Sequence, residues 1–141
     1  MAKQSELQNA RYAEDKVIQP LMALSIRLDI ADPVRGQNGY NRGAVLDVYS
    51  VLDSTYNSAY NLLLNGAFPK ELSLLVDRLY NAKGIVRLVL DHSSYDSSEH
   101  SAVVKEVTGA IEQSTIIKAL IDAEGLVGQA GLVHCLLLHC V

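Results

Sequence analysis

Residues 42–64 read RGAVLDVYSVLDSTYNSAYNLLL. Within this stretch Val45, Val48, Tyr49, Leu52, Tyr56, Tyr60 and Leu63 recur at three- and four-residue spacings. That is one continuous face of a helix, and the residues between them are mostly polar. Asn41 stands where a helix N-cap belongs. Asn65-Gly66 supplies a stop, because glycine takes the left-handed conformation that closes a helix.

The flanking segments repeat this grammar. Upstream, Ser5 to Ala31 carries Val17, Leu21, Leu24 and Leu28 on one helical face. Pro20 lies inside that pattern and is expected to kink or split it. Leu24, Ile26, Leu28 and Ile30 also alternate with period two, so a half-buried strand is a rival reading there. Asp32-Pro33 ends the segment in either case. Residues 32–43, DPVRGQNGYNRG, form a loop rich in turn residues.

Downstream, Pro69 suits a first helical turn. Leu72, Leu75, Leu79, Val86 and Leu90 line one face, with Val76 and Tyr80 beside them. Gly84 lies mid-helix and is expected to mark a close helix crossing. Residues 92–101, HSSYDSSEHS, read as a loop in which Ser97 or Ser98 caps a helix starting near Glu99. That helix carries Val103, Val104, Val107, Ile111, Ile117, Leu120 and Ile121. Its β-branched content lowers its propensity, so packing has to supply its stability.

The expected fold is an all-α, up-and-down antiparallel bundle of four to five helices, forming a single domain over residues 1–141. Composition agrees. In 141 residues, 49% are apolar and 20% charged, too apolar for a disordered chain. No apolar run is long enough for a conventional membrane span. The first residues are polar and charged, so a cytoplasmic protein without a secretory signal is expected. A net charge of -4 disfavours a protein that works by coating phosphate backbones.

Residues 125–141 stand apart: these 17 residues contain no Asp, Glu, Lys or Arg. Such a segment is expected to be buried in the fold, in a homodimer or against a protein partner. Leu132, Leu136 and Leu137 are its candidate contact residues. The same segment holds both cysteines of the chain. Cys135 and His139 are one helical turn apart, the spacing that lets two side chains meet one metal. Two more ligands are needed, and His92 and His100 supply them only if the Ser-rich loop lies beside this segment. The plainer account is Cys acting as a small hydrophobe, with no cofactor.

Two other groups are candidate sites. Tyr49, Tyr56 and Tyr60 share a face of the 42–64 helix, where tyrosines suit a core or an interface. Arg35, Tyr40 and Arg42, in the glycine-rich loop, are what a phosphate or single-stranded RNA contact would use.

Arg87-Leu-Val-Leu-Asp91-His92 places a histidine after an arginine with four residues between. This is similar to the Arg-x4-His motif of HEPN domains, small helical bundles that are often dimeric and many of which cleave RNA. The resemblance implies that Arg87 binds and polarises a scissile phosphate. His92 would be the general acid or base. It also implies metal-independent cleavage by a dimer. Leu88 stands where that family usually carries a polar residue. The structural alternative pairs Arg87 with Asp91 and lets His92 end the helix.

No P-loop, GxGxxG, GxSxG, HExxH, EF-hand loop or ExxH pair is present. The expected function is therefore a non-catalytic helical interaction module: an adaptor, chaperone, inhibitor or small subunit that self-associates or binds a protein partner.

Overall fold

The computed structural model describes residues 4–34 and 39–124. The helices are α1 (Gln4–Ala13), α2 (Gln19–Ala31), α3 (Arg42–Leu64), α4 (Pro69–His92) and α5 (Ser97–Glu124). A π-helical turn, Glu14–Ile18, joins α1 to α2. Ala13, Ile18 and Gln19 keep helical φ values of -60°, -66° and -63°, so the three pieces run on as one rod. No strand forms among the described residues. Four long helical rods therefore pack together.

Pro20 does not end its helix. Its ring would crowd the carbonyl of Lys16 in a regular α-helix. The wider π turn lies just before it and opens the backbone there. Residues 24–30 are helical, so the period-two alternation does not make a strand. Leu24 and Leu28 face the core, whereas Ile26 and Ile30 are exposed.

The helix ends follow local chemistry. The Asn41 side chain accepts from the Ala44 N–H at 3.0 Å, as its position predicts. α3 closes with Gly66 at φ 79°, Gly66 N–H donating to the Leu63 carbonyl and Ala67 N–H to the Leu62 carbonyl. α5 opens on Asp96, not on Ser97 or Ser98. Glu99 N–H donates to Asp96 Oδ1 at 2.8 Å, and Asp96 N–H donates to Glu99 Oε1 at 3.0 Å. That reciprocal pair satisfies two orphan donors at once, which a serine alone cannot do.

The core is one cluster. Leu21 and Leu24 of α2, Val48 and Leu52 of α3, Leu75 and Leu79 of α4, and Val107 and Ile117 of α5 all belong to it. Gly84 does not mark a helix crossing: a Cβ there would meet nothing within 4 Å. The close approach is at Gly109, where a Cβ would lie 2.7 Å from Arg78 Nε. Arg78 in turn pairs with Glu106 at 3.2 Å. α2 packs broadly on α3, but meets α5 only along a narrow seam.

Candidate functional site

α2 is apolar on two sides. Its inward positions Leu21, Leu24, Leu28 and Ala31 are buried. On its outward side Met22, Ile26 and Ile30, four residues apart, are 64%, 67% and 63% exposed. Val34 lies just past the helix end and is also exposed. A helix on the outside of a bundle normally carries polar residues there. Beside this stripe a groove of about 420 Å³ runs between α2 and α5. Ile26 and Leu28 line one wall and Val104, Val107 and Ile111 the other. Ser25, Asp29, Thr108 and His100 provide its polar margin.

His100 belongs to a chain of polar contacts that joins three elements. The Tyr95 hydroxyl lies 2.7 Å from His100 Nδ1, and the rings meet edge to face with centroids 5.4 Å apart. His100 Nε2 lies 3.8 Å from Asp32 Oδ2, just past the end of α2. Asp32 Oδ1 accepts the Val34 N–H. The Tyr95 phenol is pushed well above its usual range by burial first, then by the charges of Asp32 and Glu99. A neutral phenol can either donate to Nδ1 or accept from it, and the imidazole tautomer sets which. Tyr95 is buried, so the triad-like order acts as a strap between the α4–α5 loop and α2 rather than presenting a nucleophile.

The tyrosine face of α3 is only partly as expected. Tyr56 and Tyr60 stack at 6.1 Å, with ring planes 11° apart. Tyr49 is half-buried against the core. Tyr80 of α4 joins the set at 6.1 Å from Tyr56. Lys83 Nζ sits 4.3 Å from the Tyr56 ring centroid and 2.8 Å from Asp53 Oδ1. Its ammonium thus satisfies both a ring face and a carboxylate.

Arg87 and His92 both lie on α4 and are exposed. Five residues on one helix set them about 140° apart around the axis, so they do not converge on one point of the surface. Arg87 does not form the expected ion pair with Asp91. Arg42 is the first residue of α3, and its guanidinium donates to the Leu90 carbonyl at 3.3 Å. A cation there complements the negative end of α4. Tyr40 packs partly against the core. Arg35, Leu132, Cys135, Leu136, Leu137 and His139 lie outside the described residues. Among the described residues no His/Cys/Asp/Glu group is arranged to hold a metal ion. No helix there is long and apolar enough to cross a membrane.

No protein-family model matches the chain, and no curated protein or solved structure matches it.

The outward stripe is the feature that reading a single helical face overlooked. Its signal was visible: Ile26 and Ile30 are the half of the 24–30 alternation that does not enter the core.

Proposed function

We propose that this chain is a non-catalytic helical interaction module of the cytoplasm, an adaptor, chaperone, inhibitor or small subunit that self-associates or binds a protein partner. Its docking surface is the seam between α2 and α5. The observation that carries this reading is the stripe Met22, Ile26 and Ile30 beside an apolar groove. Anchors at four-residue intervals next to a groove suit the packing of one further helix. A polar margin of Ser25, Asp29, Thr108 and His100 surrounds an apolar centre, the usual anatomy of an interface. The bundle is read as up-and-down: Tyr56 meets Tyr80 and Asp53 meets Lys83, so position numbers rise along α3 as they fall along α4. The acidic balance and the divergence of Arg87 from His92 give RNA cleavage less support.

The test is a photo-crosslinking residue at position 26 of the full chain, expressed in the cells it comes from. The expected result is an adduct between protein chains that disappears when Ile30→Asp is added and never forms from position 88. No interchain adduct from position 26, or equal adducts from positions 26 and 88, overturns the reading.

A further inference from the structure

We infer that residues 125–141 of the same chain occupy the α2–α5 seam when no partner does, so that the protein carries its own competitor for its docking surface. This rests on the seam's being a docking surface and names its resident occupant.

The seam offers aliphatic walls and three outward apolar anchors, with the single carboxylate of Asp29 at its margin. Residues 125–141 carry no ionised side chain and nine Leu, Val or Ala residues, so they bring no charge to be desolvated there. A second hollow, of about 500 Å³ at the end of the bundle, is a poorer match: Phe68 and Leu120 lie in it, but three carboxylates, Glu6, Glu71 and Glu124, line it with Asn9 and Asn65. Burying an apolar segment against it would strip water from carboxylates.

The segment leaves from Glu124 at the end of α5, and α5 is itself one wall of the groove. Ile111, the nearest groove residue of α5, lies 13 positions before Glu124, or about 20 Å along the helix. A chain of 17 residues spans about 25 Å as a helix and about 60 Å extended. It therefore reaches the groove in either form.

A segment tethered this closely is present at an effective concentration of about 1 mM, so at about 10 µM protein it outweighs a second copy about 100-fold. A partner gains the seam only by displacing it.

The chain has two cysteines, and both lie in this segment, which makes the test direct. Ile26→Cys, Thr108→Cys and Leu88→Cys are made in the full chain and oxidised at low micromolar concentration, and the disulfides are mapped by peptide mass spectrometry. All three positions are exposed, so the substitutions spare the core. The expected result is an intrachain disulfide from position 26 or 108 to Cys135 or Cys140, about 100-fold faster than any interchain product. It should be absent from Leu88→Cys and lost in the Cys135→Ser/Cys140→Ser background. Disulfides from positions 26 and 108 that form only between chains overturn the occupant while leaving the seam a docking surface. No disulfide from either position, or an equal yield from position 88, also overturns it. The interchain photo-adduct then judges the docking surface on its own.

Discussion

The Tyr95 hydroxyl reaches across the start of α5 to within 2.7 Å of His100 Nδ1. Because the phenol is buried, removing it leaves a ring nitrogen without its partner. Tyr95→Phe should cost about 1–3 kcal/mol, read as a shift of the urea midpoint at neutral pH. The pH dependence has a defined sign. Burial and the nearby carboxylates raise the phenol's pKa above its ordinary value near 10. The folded state therefore holds the proton more tightly than the unfolded chain does. Stability from this group is complete below about pH 10 and declines as the pH rises beyond it. Thermal melts should fall more steeply above that pH for the native chain than for Tyr95→Phe. Parallel curves would show that the ionising phenol is elsewhere.

Gly84 and Gly109 both sit inside long helices, yet the same substitution should act differently at each. Alanine at position 84 meets open space, so Gly84→Ala should stabilise by about 0.5–1 kcal/mol through backbone entropy alone. Alanine at position 109 would meet Arg78 Nε at 2.7 Å and Cζ at 3.0 Å. The arginine must then swing away from Glu106, its partner at 3.2 Å. Gly109→Ala should gain nothing or lose stability. Paired chemical denaturation curves decide this, and equal gains at both sites would contradict the close approach.

Much of the architecture was legible in the sequence because it rests on local rules. The 42–64 helix, the Asn41 cap, the Gly66 stop and the Pro69 start each rest on residues within one or two turns of each other, although beyond Leu52 the buried face runs through Thr55, Ala59 and Leu62 and leaves Tyr60 exposed. What was not legible depends on distant neighbours. Whether Gly84 or Gly109 marks a crossing is decided by Arg78, on a different helix from Gly109. The fate of Pro20 depends on a π turn that keeps both halves of the first rod on the core. The Tyr95–His100–Asp32 strap joins residues far apart in the chain, and no spacing rule announces it. The seam lies between these cases. The double apolar character of α2 was written in residues 22–30, but which half faces outward required the bundle.

The seam residues separate docking from folding. Ile26 is exposed, whereas its neighbour Leu28 is 4% exposed. Ile26→Asp should keep the helical signal and cost no more than the seat of residues 125–141 on the seam, far less than a charge placed in the core. Leu28→Asp buries an unpaired carboxylate and should unfold the chain or leave it with a strongly raised carboxyl pKa. Far-ultraviolet circular dichroism with urea titration reads both. Loss of the helical signal for Ile26→Asp would mean that the outward stripe is already part of the cooperative core.

Thr55 and Leu52 lie on the same buried face of α3, and together they measure what that core tolerates. Leu52 is fully buried, so Leu52→Ala should cost about 2–5 kcal/mol through lost burial and the cavity left behind. Thr55 is 1% exposed, and its hydroxyl has no hydrogen-bond partner. An unpartnered buried hydroxyl is desolvated without compensation. Thr55→Val keeps the shape, replaces the hydroxyl with a methyl and should stabilise by about 1 kcal/mol. The two substitutions move the urea midpoint in opposite directions without altering the slope of the transition. A destabilising Thr55→Val would show that the hydroxyl is bonded in solution, most simply to a water held against α3.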